Sequence, residues 1–526
     1  METFVMYGNI EQIDLSFNEI RNFSNEKEIS VTSLNISHNH LTDVNSLMLN
    51  IRRVEIIDIS YNQLREISTK NFRSQLYLRY LNIGHNKLIS IDSEFFNFLT
   101  YYSYTHNTRL IFIFSNNQLE NINIFLNNSD YFDVINSLDY SDNDLKTINF
   151  VKPISKSIRI RSVKLSNNKI SDLSGFNFTD IPINFLDLKN NNITYVDLKV
   201  FINIEQSLDL SNNRISCINS SHFTEAMSLK KLNLSHNEIE KLNSSTFSVI
   251  SSLEELDLSH CILKHLNEES FSNLSNLTSL NLSFNFIESL PEKIFVKLNL
   301  TYLDLSHNFL TLLPDNIFSG LNLQLIDLGF NQLQRFSENV FNNSTIGNFI
   351  ARSNPIIEIN EKSFIGLKDL LSIDLSNAGI KELPSNAFEK MKRLNCIRLD
   401  DNEIQSLPVG LFRDQKNLTA ISMTGNNLTD LNRDTFSGLL QLRTLNITLK
   451  GNLTQGIFQN LFNLYELNLV ESEITTIKNG SFSGLDMLQK LNFKNLKPVK
   501  IESGAFIGLS SLKTFNPRDW LRLCKM

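Results

Sequence analysis

LDLSHCILKHLNEESF, residues Leu256 to Phe271, sets His260, Cys261 and His265 within six residues. Thiolate and imidazole at such spacing are what zinc selects, so read alone the stretch is a metal site. Its neighbours decide otherwise. One period earlier the chain reads LNLSHNEIEKLNSSTF (Leu232 to Phe247), and one period later LNLSFNFIESLPEKIF (Leu280 to Phe295). Cys261 stands where the other copies carry Asn, and the three candidate ligands fall on different parts of a repeat. No metal ligand set and no cofactor is expected.

Aligned on L-x-x-L-x-L-x-x-N-x-L, the whole chain comes into register. The Asn column runs Asn18, Asn39, Asn62, Asn86, Asn117, Asn143, Asn168, Asn191, Asn213 and Asn237, passes Cys261, and continues through Asn285, Asn308, Asn331, Asn354, Ala378, Asn402 and Asn426. Less regular units follow near Lys450, Ser472 and Leu496. From Asn213 to Asn426 the step is 23 or 24 residues. This period and string resemble the leucine-rich repeat. In x-L-x-L-x the alternation has period two, which makes a short strand with leucines inward and the x residues outward. One repeat cannot bury its own apolar face, so neighbours stack and their strands form a parallel sheet. The Asn turns inward, where its amide both donates to and accepts from backbone groups.

The expected fold is an α/β solenoid. It is a right-handed leucine-rich repeat horseshoe of about 21 repeats, with a parallel β-sheet on the concave face and short helical or irregular segments on the convex face. Residues 1–515 read as a single array with irregular units near 87–117 and 448–456, and 516–526 as a degenerate or truncated cap. Ten residues after each Asn lies a Phe column, including Phe72, Phe96, Phe201, Phe223, Phe247, Phe271, Phe295, Phe388, Phe436, Phe482 and Phe506. Stacked one repeat apart, these rings make a buried spine. The slip at Thr448 to Gly456 interrupts it.

The unit carrying LPEKIF, LPDNIF or LPSNAF resembles the extracellular subtype of this repeat, similar to the ectodomains of Toll-type receptors, chaoptin-like adhesion proteins and Slit-like ligands. The resemblance spans essentially the whole chain and implies protein or glycan recognition outside the cell, with no catalysis by the repeats. It also admits a homo- or heterodimer. Two departures stand out. A leader and a disulfide-bonded cap are missing at the start, and the end reads NPRDWLRLCKM, with Trp520 and Arg522 where the family's cap has cysteines.

Composition narrows the classes further. A net charge of −7 and a pI near 5.8 argue against nucleic acid as the partner. The tail is locally basic (Lys490, Lys494, Lys497, Lys500, Lys513, Arg518, Arg522, Lys525), which suits a solvated cap or an anionic partner. No apolar run is long enough to span a bilayer, and the opening METFVMYGNIEQIDLSFNEI lacks the pattern of a signal peptide. Four cysteines in 526 residues make no disulfide framework. There is no phosphate loop, nucleophile elbow or zinc-protease motif, so no catalytic residue is assigned. Nineteen N-x-S/T sequons exceed the chance expectation of about eleven. Four of them, Asn35, Asn233, Asn281 and Asn446, arise from the strand consensus. The acceptor candidates are Asn22, Asn127, Asn177, Asn192, Asn219, Asn243, Asn273, Asn276, Asn299, Asn417 and Asn479.

Binding in a solenoid belongs on the outward strand positions. Between the two strand leucines stand Asp14, Asp58, Asp139, Asp187, Asp209, Asp257, Asp304, Asp327 and Asp374, interleaved with Asn35, Asn82, Asn233 and Asn281. This stripe is either the consensus strand or an acidic surface for a basic ligand. Just ahead of the ladder Asn runs a second row: Phe17, His38, Tyr61, His85, His236, His260, Phe284, His307 and Phe330. Rings beside acids are hot-spot material, and the histidines bring titration near neutral pH. The site expected from these rows is Asp209, His236, Asp257, His260, Tyr302, Asp304, His307 and Asp327. A surplus in TYYSYTHN adds Tyr101, Tyr102 and Tyr104 as an insert loop. The leading expectation is a non-enzymatic extracellular recognition module. The alternatives are an intracellular or structural scaffold, or a truncated receptor fragment.

Overall fold

The computed structural model describes residues 9–22, 29–72, 75, 77–92, 95, 110–125, 134–151, 159–174, 181–201, 203–219, 228–429, 431–494 and 500–516. They form two compact units, Met1–Ile262 and Leu263–Met526. Each is a solenoid of stacked coils whose strands pair in parallel with the strand of the next repeat.

In the first unit the sheet runs from Asn9–Asp14 and Ile29–Asn35 to Lys231–Asn233 and Glu255–Asp257. In the second it runs from Ser279–Asn281 and Tyr302–Asp304 to Lys490–Lys494 and Thr514–Asn516. The register places like on like, with Leu303 opposite Ile326 and Asp304 opposite Asp327. Period-two alternation is visible in the burial: Leu303 is buried while Tyr302 and Asp304 on either side are half-buried. Helix is scarce among the described residues, the elements being Asn45–Asn50, Thr69–Phe72 and a 3-10 turn at Leu198–Phe201, with Phe95 also in 3-10 conformation. The rest of each coil returns through turns.

The Asn column is the hydrogen-bonded spine of both units. In Asn308, Nδ2 donates to the carbonyls of Leu282 in the previous repeat (2.9 Å) and of Leu305 and Ser306 in its own (3.1 Å each), while Oδ1 accepts from the Ile287 amide (3.0 Å). A buried turn thereby satisfies backbone groups that water cannot reach. Cys261 occupies the same place, its thiol donating to the Leu234 carbonyl at 3.4 Å. Where Ala378 replaces Asn, the Ile356 amide turns instead to the Ala378 carbonyl, at 2.9 Å.

Two expectations about the Phe column are corrected. The second slip does not interrupt it: Phe458 stacks between Phe436 (6.1 Å) and Phe482 (6.3 Å). At the slip the Thr448 hydroxyl accepts from the Gly425 amide and donates to the Val470 carbonyl of the following repeat. Earlier in the chain, Phe95 is the buried ring, 5.5 Å from Phe72 and 5.7 Å from Phe114. Phe96 and Phe223 lie outside the described residues.

Candidate functional site

The strand exit is built the same way repeat after repeat. The Asp or Asn between the strand leucines accepts, through Oδ1, the amide two residues on: Asp58 from Ser60 (2.9 Å), Asp209 from Ser211 (2.8 Å), Asn233 from Ser235 (3.0 Å), Asp257 from Ser259 (2.8 Å), Asp304 from Ser306 (2.9 Å) and Asp327 from Gly329 (2.7 Å). This is an Asx turn, which Asp and Asn form equally well. The acidic stripe is therefore first a column of turn caps, and each carboxylate has one oxygen left for another partner.

The residue just ahead of the ladder Asn then takes left-handed backbone. Its φ is 56° at Phe17, 53° at Tyr61, 55° at His236, 52° at His260, 54° at Phe284 and His307 and 55° at Phe330. Asn, Asp and His enter this region readily, but bulky side chains do so at a cost. Asn116, Asp142, Asn167, Asn190 and Asn212 occupy the same column at φ of 53° to 58°. There the side chains link through amides, Asn190 donating to Asn167 and Asn167 to Asp142. The sequence reading collected the aromatic members and missed the conformation. The signal was the Asn and Asp content of the remaining repeats.

Where the column is aromatic the rings stack. In the first unit Phe17, His38, Tyr61 and His85 form a continuous pile with centroids 4.1, 4.0 and 3.9 Å apart, and His236 lies 4.1 Å from His260. In the second unit His307 is sandwiched between Phe284 (3.9 Å) and Phe330 (4.1 Å), and the Arg352 guanidinium covers Phe330 at 5.2 Å. These rings stay in solvent contact: Phe17 is 76% exposed, Tyr61 44% and Phe284 43%.

The residues expected to form one site are distributed over both units. Asp209, His236, Asp257 and His260 lie in the first unit. Asn233 separates the two aspartates and donates to Asp209 Oδ2 at 3.4 Å. Nearby charges are paired, Lys231 with Glu255 (2.7 Å) and Lys164 with Asp139 (3.3 Å). Tyr302, Asp304, His307 and Asp327 lie together in the second unit, with the Tyr302 hydroxyl donating to Asp304 Oδ2 at 3.3 Å. Here two aspartates are directly opposite across the strands. Burial pushes the Asp327 carboxyl up to about 6, against the pull of its Gly329 hydrogen bond, and Asp304 adds to the rise. Burial also lowers His307 below the usual imidazole range, ahead of the opposing effect of Asp304. Arg352, two repeats away in sequence, escaped the sequence reading. Gly329 makes room for it, since a Cβ there would stand 3.3 Å from Arg352 Cγ. Phe286 and Phe309, stacked at 5.8 Å and exposed, also went unread.

Tyr101, Tyr102 and Tyr104 lie outside the described residues, as do Asn127 and Asn177; the Asn219 side chain is likewise not described. Asn22, Asn192, Asn243, Asn273, Asn276, Asn299, Asn417 and Asn479 are exposed. The strand sequons Asn35, Asn233 and Asn281 spend Oδ1 on turn amides. No helix among the described residues is long and apolar enough to cross a membrane.

Residues 334–461 and 451–522 match the BspA type leucine rich repeat region, and residues 29–44, 206–263 and 251–310 match further leucine rich repeat families. The chain is a leucine-rich repeat protein. It is 25% identical to human oligodendrocyte-myelin glycoprotein over 215 residues, 40% of this chain and 45% of that protein. It is 34% identical to pig fibromodulin over 108 residues, 19% of this chain and 70% of that one. The chain thus spans under half of the human relative. Toll in the Drosophila Toll–Spatzle complex shares the repeat fold, with a TM-score of 0.54 and 18% identity over 90% of this chain and 59% of Toll.

Proposed function

We propose that this leucine-rich repeat chain is a non-catalytic recognition module of an extracellular receptor or adhesion protein, binding a protein or glycan on the open face of its strands. The observation that carries this reading is the row of stacked rings at the strand exits. A purely structural column is satisfied by Asn, as Asn167 and Asn190 show. Phe and Tyr take the same left-handed position at greater conformational cost, and the stacking energy of about 0.5–1.5 kcal/mol per pair only offsets it. Aromatic edges left in solvent beside carboxylates are surface that a partner buries. Asp209, His236, Asp257 and His260 offer such a patch in one unit, and Tyr302, Asp304, His307 and Asp327 in the other. The named relatives point the same way: one is a glycoprotein by name, and Toll is seen bound to Spatzle. A homo- or heterodimer fits the same surfaces.

The test is the mass of the protein from its native source before and after enzymatic removal of N-linked glycans. A drop, with the modified peptides mapping to exposed sequons such as Asn243, Asn273, Asn299 and Asn417, supports the reading. An unchanged mass sinks the extracellular assignment and favours an intracellular scaffold.

A further inference from the structure

We propose that the strand face around His307 docks a basic segment of a protein partner and lets it go as the medium turns mildly acid. The proposal rests on the recognition reading above and names its partner chemistry and its control.

The geometry starts from the cross-strand pair. Asp304 and Asp327 are opposite one another on the same face, and each spends Oδ1 on a turn amide. Tyr302 donates to the second oxygen of Asp304. Among the described residues, no donor reaches the second oxygen of Asp327. Like charges directly opposite on adjacent strands repel. Asp187 and Asp209 are likewise opposed, but there Lys164 stands on the far side of Asp187 and Asn233 on the far side of Asp209, whereas Asn281 and Ile350 flank Asp304 and Asp327. Besides Asp304, the charged groups that act on Asp327 are Arg352 and Asp374, and Asp374 is itself opposite Arg398 on the next strand. The Arg352 guanidinium already lies over the Phe330 ring. A lysine or arginine from a partner would pair with both aspartates and lay its aliphatic stem along the exposed edges of Phe284 and Phe330.

Two of the groups are shifted by the fold, in opposite directions. Asp327, with Asp304, Arg352 and Asp374 around it, takes up its proton near pH 6 rather than in the usual carboxylate range. His307 faces Asp304 and Arg352 from between two phenyl rings and takes up its proton below the usual imidazole range. Protonating both takes one negative charge off the face and adds one positive charge, which weakens the attraction for a basic segment.

The two groups act on stability in opposite senses. A carboxyl raised in the folded state contributes stability at low pH that is lost as pH rises through about 6. A histidine lowered in the folded state contributes stability at high pH that is lost as pH falls through its folded value. The face therefore changes charge while the two stability effects oppose each other, as suits a release device rather than an unfolding one.

The experiment immobilises the intact chain and measures binding of a lysine-rich peptide and of a glutamate-rich peptide of equal length, at about pH 7.5 and about pH 5.5 and constant ionic strength. The expected result is lysine-peptide binding that weakens about tenfold on acidification. Asp327→Asn should bind less at the higher pH and lose most of the pH dependence. Asn keeps the turn cap, as Asn233 and Asn281 do; should the variant nevertheless melt below the parent, Asp304→Asn serves the same comparison. Equal binding at both pH values, unchanged binding by the variant, or equal binding of the glutamate peptide overturns the proposal. A glycosylated chain that ignores the lysine peptide fails this proposal and leaves the recognition reading intact. A chain without glycans that binds it fails the extracellular reading alone.

Discussion

Cys261 shows how much a single rung of the ladder carries. An Asn there would accept the amide that points into the rung from the repeat before, as Asn285 does for Leu263 and Asn308 for Ile287. The thiol donates weakly to the Leu234 carbonyl and, as a weak acceptor, meets the Asn237 and Ile239 amides less well than an amide oxygen would. Cys261→Asn is therefore expected to stabilise the fold by about 1 kcal/mol, one net hydrogen bond, read as a rise in melting temperature. Conversely, Asn308→Ala abandons buried carbonyls and an amide and should cost about 3 kcal/mol. Burial also pushes the Cys261 thiol up to about 11, ahead of the backbone amides that pull it down. At about pH 7.5 iodoacetamide should alkylate the exposed Cys217 and leave Cys261 until the chain is unfolded, which peptide mass mapping reads directly. Asp327→Asn belongs to the same scale. It removes a charge that is held against burial, so melting at about pH 7.5 should rise by about 1 kcal/mol, discounted for solvent screening, with no gain at about pH 4.

At the scale of the element, the unit of design is the strand exit: a cap at the Asp or Asn, a left-handed residue, then the inward Asn. Its outline was legible because each part recurs at a fixed place in L-x-L-x-x-N. Its chemistry was not. The acidic stripe looked like a ligand surface because the Asx turn to Ser306 or Gly329 is invisible without coordinates. The slip after Met423 shows the same limit. The strands Ala420–Leu428 and Thr444–Leu453 run long and shift register between Met423 and Leu428, and the amide of Gly425, at φ 70° in the usual left-handed position, donates to the Thr448 hydroxyl. Reading for Asn in this irregular repeat lost Phe458. Phe458→Ala should cost about 3–5 kcal/mol, whereas Phe462→Ala, an exposed ring in the same turn, should be close to neutral. Equal losses for the two would contradict the stacking of Phe458 between Phe436 and Phe482.

For the whole molecule, stability in each unit is a chain of neighbour contacts, because each strand pairs only with strands nearby in the repeat order. A cavity should therefore loosen its surroundings first. With Leu303→Ala, hydrogen exchange is expected to quicken in the flanking strands Ser279–Asn281 and Asn322–Asp327 while Glu466–Val470 keeps its protection. Uniform loss would mean that the second unit unfolds as one body. The same neighbour logic divides what was readable from what was not. Leucine spacing and the Asn column determined the solenoid, its parallel strands and its inward faces, since every repeat of a stack meets the same local requirements. The tertiary structure alone decided that rings pile at the strand exits, that Arg352 covers Phe330, that Phe458 completes the spine, and that burial raises the Asp327 carboxyl opposite Asp304. Those outcomes depend on which side chains adjacent coils bring face to face, and a repeating sequence pattern does not carry that information.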